Sequence, residues 1–217
     1  LLARTPVIDQ LLEPAAIPTA DDWVFSIGDL PRLLDVAQES QIPPSIPLTP
    51  RADQIETMRR RLAAAGPPPY VGVTWRAGTP DKELVLYKAS PLAPLAETLK
   101  TVPATILILQ RLPAEGEIET FRERLGRPAH DFSALNDDLE AMLALLALID
   151  DYIGVSNTNM HLRAGAGKTA RVLVPSPPEW RWMAAGGESP WFPGFSVYRQ
   201  GVDGDWTQAL AQIESDL

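Results

Sequence analysis

The sequence predicts an α/β protein built around a mostly parallel, doubly wound β-sheet. From residue 67 onward, short apolar segments alternate with amphipathic segments of helical periodicity. The 22 prolines and 14 glycines often fall between these segments. Strands that alternate with helices form right-handed crossovers, which place the strands parallel and cover both faces of the sheet. We therefore expect a single sheet-based domain over residues 67–217.

Each predicted strand is a short apolar segment flanked by turn-forming or polar residues. The first reads YVGVTW and follows three consecutive prolines, and the second reads TILILQ without an internal charge. Such segments are typical of strands that are buried on both faces. The six predicted strands are residues 70–75, 105–110, 130–134, 152–156, 170–175 and 195–200.

The predicted helices have apolar residues at three- and four-residue spacing and recognisable ends. Ser90 is expected to cap one helix, with a proline at its first helical position. Asn136 is expected to cap another, and Gly126 to end the helix before it. The predicted helices are residues 51–65, 90–101, 115–125, 136–149, 158–165 and 206–217.

The chain is predicted to have three parts. Residues 67–217 form the sheet domain, and residues 43–66 form a linker and a helix. Four prolines lie within residues 43–50, which indicates an extended backbone. Residues 1–42 hold too few apolar segments for a complete domain and are predicted to be the remnant of an N-terminal one. Because the chain begins with Leu1, we expect a fragment of a longer protein.

The composition excludes several classes of protein. With 19 basic and 28 acidic residues the net charge is -9, which argues against nucleic-acid binding. The absence of cysteine excludes disulfides, thiolate zinc sites and iron–sulfur clusters. The longest apolar stretch, residues 142–149, is far shorter than the roughly 20 residues of a membrane span. With no signal-peptide pattern visible, we expect a cytoplasmic protein without a membrane span.

No motif predicts a cofactor or a metal ion. The first strand is not followed by G-x-G-x-x-G, the dinucleotide-binding motif. The segment GAGKT at residues 165–169 ends a helix and precedes a strand, the reverse of the order in a phosphate-binding loop. We interpret it as a helix end and a tight turn. Spacings typical of metal ligands are also absent.

Polar residues follow the first and fourth predicted strands. They are TWRAG at residues 74–78 and SNTNMH at residues 156–161. In a doubly wound sheet, ligands bind beyond the carboxyl ends of the strands, where the strand order reverses. The sequence therefore predicts a ligand-binding crevice between these two segments.

The wall after the first strand contains candidate phosphate ligands. Arg76 matches phosphate geometry, and Gly78 allows a ligand to approach the backbone. Lys88 is placed to reach a phosphate, and Gln110, after the second strand, to bind a nucleobase or ribose. Each has a structural alternative, as a solvated cation or a polar strand end.

The opposite wall is the start of the predicted helix 158–165. Ser156, Asn157 and Thr158 stand where unpaired amides and the positive end of the helix dipole would bind a phosphate. His161, one turn into the helix, is a candidate ligand contact. The alternatives are that Ser156 or Asn157 only caps the helix and that His161 is structural.

The loop at residues 177–193 contains three tryptophans and a phenylalanine. Aromatic rings on the ligand side of a sheet are able to stack on a base or a sugar. A small cluster that anchors the loop is the alternative, and we favour it for most of these rings.

Several segments occur in the order found in one enzyme family. They are YVGVTWRAG, ILILQR, YIGVSNTNMHLRAGAGKTARVLVP, PPEWRWM, SPWFPGFSVYRQ and DWTQALAQI. From about Trp23 to its end the chain resembles the C-terminal half of a GT-B-fold glycosyltransferase, with a Rossmann-like domain. The most similar kind is the bacterial domain that follows tetratricopeptide repeats. It is related to the ADP-heptose lipopolysaccharide heptosyltransferases of glycosyltransferase family 9.

This resemblance implies that the domain binds a nucleotide-diphosphate sugar and that a protein or glycan is the acceptor. The residues that it places near the donor are Arg76, Lys88, Gln110, Ser156, Asn157, Thr158, Asn159 and His161. In such enzymes the N-terminal half supplies the base and the acceptor site. That half is mostly missing here, so we expect the chain alone to be inactive, and no catalytic residue is assigned.

Two other functions stay open. The related domains usually carry Asp-Thr-Ala where this chain has Ser156, Asn157 and Thr158. This departure favours a catalytically degenerate, glycosyltransferase-like interaction module attached to helical repeats. A nicotinamide-dependent dehydrogenase is disfavoured because the glycine motif is missing.

Overall fold

A computed structural model describes residues 1–11, 19, 22–77 and 88–217, and it contains a six-stranded, all-parallel sheet. The strands are β1 (Tyr70–Thr74), β2 (Thr105–Ile108), β3 (Ala129–Asp131), β4 (Asp151–Val155), β5 (Arg171–Val174) and β6 (Ser196–Arg199). Their order is β3-β2-β1-β4-β5-β6. The predicted doubly wound α/β fold is therefore confirmed. Five of the strands are shorter than predicted, and β4 has the predicted length but begins one residue earlier.

Helices cover both faces of the sheet. They are α1 (Leu30–Leu33), α2 (Ala52–Ala65), α3 (Leu92–Thr98), α4 (Glu117–Leu125), α5 (Leu139–Leu148), α6 (Thr158–Gly165) and α7 (Thr207–Asp216). On one face α5 packs between α2 and α6, and on the other α3 packs between α4 and α7. The buried apolar residues accordingly form two clusters, one on each face.

Two of the predicted helix caps, Ser90 and Asn136, are wrong. Ser90 is buried and its hydroxyl donates to the Trp75 carbonyl at 3.2 Å, so it ties the loop to β1 instead of capping α3. The cap of α5 is Asp138, whose carboxylate accepts from two amides of the first turn. Asn136 lies in a short 3-10 helix before it, and its amide donates to the Leu109 and Ser133 carbonyls.

Hydrogen bonds join the residues before α2 to the sheet domain. Arg4 forms two hydrogen bonds with Glu140 at the start of α5, at 2.5 and 2.7 Å. In the Pro-rich segment, the Leu48 amide donates to the Gly165 carbonyl at the end of α6, at 2.8 Å. By contrast, Trp23 is 87% exposed.

None of the described helices is both long enough and apolar enough to cross a membrane.

The strand order places the reversal between β1 and β4. The chain runs from β1 outward to β2 and β3, then returns to β4 on the other side of β1. The two loops that leave β1 and β4 consequently diverge and open a crevice at the carboxyl edge of the sheet. This is where the sequence predicts the ligand.

Candidate functional site

A cavity of about 420 Å³ lies at this edge of the sheet. Thr74, Arg76 and Ala77 line it from the end of β1, and Leu109 and Arg111 from the segment after β2. The residues that follow β4 form the opposite wall. The cavity is thus built from three neighbouring strands, with β1 in the middle.

Seven of the nine predicted site residues line this cavity. They are Arg76, Lys88, Ser156, Asn157, Thr158, Asn159 and His161. Gln110 is not among the lining residues, and Gly78 lies outside the described residues. The structure therefore brings Arg76 and His161 to one cavity although 85 positions separate them in the chain.

Arg76 is held by an acidic residue that sequence reasoning did not identify. Its guanidinium donates to both carboxylate oxygens of Glu117, at 3.0 and 2.9 Å, and to the Leu112 carbonyl at 2.6 Å. The Trp75 indole donates to the same carboxylate at 2.9 Å. Burial alone would raise the pKa of Glu117, but these hydrogen bonds and one from the Ala114 amide hold it below its usual value. Arg76 is therefore part of a neutralised pair.

A second carboxylate, Glu179, connects three residues that line the cavity. It forms ion pairs with Lys88 and with Arg181, the latter at 2.9 Å, and accepts a hydrogen bond from the Ser156 hydroxyl at 2.8 Å. Burial raises the pKa of Glu179, and its bonds to Lys88 and Ser156 with the nearby Arg181 charge outweigh that effect and lower it. The carboxylate is consequently ionised at neutral pH.

His161 lines the cavity from the first turns of α6. Its ring meets the edge of Phe192 at a centroid distance of 5.2 Å, and part of the residue is exposed to solvent. Surrounding protein lowers its pKa, as do the charges of Arg181 and Lys88, while Glu179 opposes them. His161 is thus mainly neutral at pH 7, able to donate and to accept a hydrogen bond.

The start of α6 lines the cavity, and a network of hydrogen bonds holds it in place. Asn157 is the N-cap of α6, and its side-chain carbonyl oxygen accepts a hydrogen bond from the backbone amide of Asn159 at 2.8 Å. The side-chain amide nitrogen of Asn157 donates to the Tyr152 hydroxyl at 3.0 Å, and that hydroxyl donates to the Thr74 hydroxyl at 2.9 Å. Burial raises the pKa of Tyr152, so the hydroxyl stays protonated. This network fixes the position of the helix start relative to β1.

Gln110 connects the loops that follow β1 and β2. Its carbonyl oxygen accepts from the Trp75 and Arg76 amides at 3.1 and 3.0 Å. Its amide nitrogen donates to the Arg76 and Arg111 carbonyls at 3.1 and 2.9 Å. The side chain is 1% exposed, so it holds the cavity wall in place from behind.

Arg111 and Arg181 also line the cavity, and sequence reasoning did not identify either as a site residue. Arg111 follows directly after Gln110 at the end of a strand, which is a signal that could have identified it. Arg181 lies in the aromatic loop, where its guanidinium contacts the Trp180 ring at 5.2 Å from the centroid. Its place in the site depends on how that loop folds back.

The cavity is electropositive in an acidic chain. Four lining residues are cationic, and none of the described lining residues carries a carboxylate. The four cations are Arg76, Lys88, Arg111 and Arg181. Glu117 and Glu179 stand behind them and neutralise part of this charge. The arrangement is suited to an anion with more than one negative charge.

The aromatic loop at residues 177–193 is largely an anchor. Trp182 is fully buried and stacks on Phe192 at a centroid distance of 4.5 Å, and both belong to the core on that face. Trp180 differs, because it is 51% exposed and meets Trp191 edge-to-face at 4.8 Å. Most of the rings thus pack the loop against the sheet domain.

Comparison with known proteins gives one related sequence. The chain matches no known protein-family model. It is 26% identical over 202 residues to Protein FlbA of Caulobacter vibrioides. That alignment covers 90% of this chain and 33% of the relative, so the chain spans about a third of the length of the curated protein it matches.

Solved structures similar to this chain include two glycosyltransferases. One is a glycosyl transferase family 9 protein from Veillonella parvula, with a TM-score of 0.56 and 11% identity over 71% of this chain and 42% of that one. The other is ADP-heptose LPS heptosyltransferase II from E. coli, with a TM-score of 0.57 and 14% identity over 79% of this chain and 52% of that one. The chain therefore has a Rossmann-like α/β fold similar to that of these family 9 glycosyltransferases.

Proposed function

We propose that this chain is the nucleotide-diphosphate-sugar-binding domain of a glycosyltransferase. The observation that carries the proposal is the cavity at the β1–β4 crevice. There four cationic side chains and the N-terminus of α6 meet in a chain of net charge -9. Arginine, lysine and helix N-termini are the groups that bind phosphate in proteins. The name of the E. coli neighbour includes ADP-heptose, which is a ligand of this chemical class.

In such a reaction the cations act on the leaving group. The bond between the sugar and the diphosphate breaks, and negative charge grows on the phosphate that departs. Cations and helix amides that are already in place stabilise this charge without reorganising. His161, mainly neutral, would donate a hydrogen bond to a phosphate or sugar oxygen. No residue here is assigned as the base that activates the acceptor.

The proposal requires a second domain. The chain spans 42% and 52% of the two similar structures, and we propose that the acceptor, a protein or glycan, binds to a separate N-terminal half. Residues 1–42 would then be the end of that half, with residues 43–66 as the linker. The exposed apolar side chains of Trp23, Phe25 and Ile27 support this, because they are 87%, 52% and 85% exposed. Contact with another domain would cover them.

A non-catalytic module is the second candidate. Ser156 and Asn157 replace the Asp-Thr of the related domains, and both side chains bond within this chain, to Glu179 and to Tyr152. A site whose polar groups are satisfied internally is what a degenerate transferase would keep. In this reading the domain, beside tetratricopeptide repeats in a cytoplasmic bacterial protein, mediates protein contacts and has no donor.

Isothermal titration calorimetry of ADP, UDP and GDP decides between the two. We expect saturable binding of at least one of them to the wild type. Thr158→Trp places an indole in the cavity and should abolish that binding. Thr207→Trp is the matched control, since Thr207 is also an exposed threonine at the first position of a helix, α7. If no nucleotide binds to the full-length protein, the donor-binding function is wrong and the interaction module is favoured.

A further inference from the structure

The four cations of the cavity differ in how far they are neutralised. Arg76 is paired with both oxygens of Glu117, and Lys88 and Arg181 share the single carboxylate of Glu179. Within the described part of the chain, Arg111 has no carboxylate within ion-pair distance. Four positive and two negative charges therefore leave a surplus of two. Part of this surplus belongs to Arg111, on the wall opposite α6.

Arg111 and the start of α6 stand on opposite sides of β1. Arg111 follows β2 and Thr158 follows β4, and these two strands flank β1. Neighbouring strands lie about 4.8 Å apart, so the two walls are separated by roughly 10 Å at the level of the backbone. A single phosphate on the amides of α6 would leave space on the Arg111 side, which a second, linked phosphate would occupy.

We propose that Arg111 binds the second phosphate of a diphosphate whose first phosphate lies at the N-terminus of α6. The inference rests on the proposed function and deepens it, since it assigns one wall of the cavity to each phosphate. Arg111 then sets the preference for nucleoside diphosphates over monophosphates. Gln110 supports this role, because its amide nitrogen donates to the Arg111 carbonyl and fixes the backbone from which the side chain extends.

The test compares diphosphates with monophosphates on the Arg111→Gln variant. Arg111 is exposed, so the substitution leaves the core intact. Calorimetry at low salt would use ADP, UDP and GDP with their monophosphates, and inorganic pyrophosphate with orthophosphate. A charge-assisted bond of about 1.5–3 kcal/mol corresponds to a loss of roughly tenfold or more. We expect diphosphates to bind the variant at least tenfold more weakly and monophosphates to change less than twofold.

Arg59→Gln is the matched control. Arg59 is an exposed arginine of α2 that does not line the cavity, and its removal changes the net charge by the same amount. We expect diphosphate affinity to stay within twofold of the wild type. If Arg59→Gln weakens binding as much as Arg111→Gln does, the effect is one of net charge and the inference is overturned.

The results separate this inference from the proposed function. If the wild type binds a nucleoside diphosphate and Arg111→Gln binds it equally well, only the Arg111 inference fails. An equal loss for diphosphates and monophosphates overturns it too. If the wild type binds pyrophosphate through Arg111 but no nucleotide, the two-phosphate site stands and the donor-binding function fails. If neither binds, both fail.

Discussion

Glu179 holds three segments of the cavity wall together. It joins Lys88 from the segment after β1, Ser156 from the end of β4 and Arg181 from the aromatic loop. These contacts connect three segments that are far apart in the sequence. The negative charge of Glu179 also acts to raise the pKa of His161, and so opposes the charges of Arg181 and Lys88, which lower that pKa.

Removing the charge of Glu179 should therefore lower the pKa of His161 further. In Glu179→Gln the positive charges of Lys88 and Arg181 act on the imidazole without opposition, and protonation becomes less favourable. The measurement is the pH titration of the His161 ring by NMR, which His161→Asn assigns because the chain has only two histidines. Glu117→Gln is the control and should leave the titration unchanged. A higher pKa in Glu179→Gln would contradict this account.

Sequence reasoning identified the groups at the site better than the bonds between them. A strand end followed by a helix start predicts where Arg76 and Ser156 lie, because backbone geometry fixes both. It does not predict that Glu117 and Glu179 neutralise the cations, since those contacts depend on how later loops return to the sheet. Gln110 shows the same limit: its position predicts a ligand contact or a polar strand end, and within the described residues its side chain bonds to backbone groups.

At the scale of elements, the closeness of β1 and β4 decides the shape of the crevice. Gly154 in β4 pairs with Thr74 in β1 at the carboxyl ends of both strands. A Cβ at Gly154 would lie 2.7 Å from the Thr74 carbonyl oxygen, which is backbone and cannot move aside alone. The glycine therefore allows the two strands to approach at the edge of the cavity.

Gly154→Ala should destabilise the domain by about 1–3 kcal/mol, because the added methyl group overpacks a rigid contact. Urea unfolding followed by circular dichroism measures the change. Gly187→Ala is the control, since an added Cβ there has no heavy atom within 4 Å and the position shows no left-handed φ. Equal stability of the two variants would show that β4 shifts to accept the methyl group.

The elements themselves were predicted well, and their starts less well. Short apolar segments identify β1, β2, β4 and β5 because each is buried over most of its length, whereas the edge strands β3 and β6 are only partly buried. The start of α5 shows why caps are harder. Asn136 and Asp138 both fit an N-cap, and the choice falls to Asp138 because the amide of Asn136 bonds to Leu109 in the segment after β2. That contact lies 27 residues away in the chain and leaves no local signal.

At the scale of the whole molecule, charge and apolar surface are both unevenly distributed. The chain carries a net charge of -9, yet four of its 19 basic residues line one cavity at the carboxyl edge of the sheet. A second groove, between α3 and α7, contains Glu97, Asp205 and Glu214 and no described cation. Electrostatics therefore favours the first cavity for an anionic ligand and opposes the second.

The strand order accounts for the position of the cavity. The alternation of strands and helices predicts a doubly wound sheet, and such a sheet brings the ends of its first and fourth strands together. The cavity and its polar wall follow from that topology. The role of residues 1–42 does not, because the alternation begins only after them and gives no partner for Trp23.

The most direct test of the account is the location of the bound diphosphate. Backbone amide NMR of the labelled protein, titrated with the nucleoside diphosphate that binds most tightly, reports it residue by residue. The account predicts that the largest shifts fall on residues 156–161 and on Arg111, at the cavity between β1 and β4. Shifts centred on Trp206 and Thr207, in the groove between α3 and α7, would contradict it.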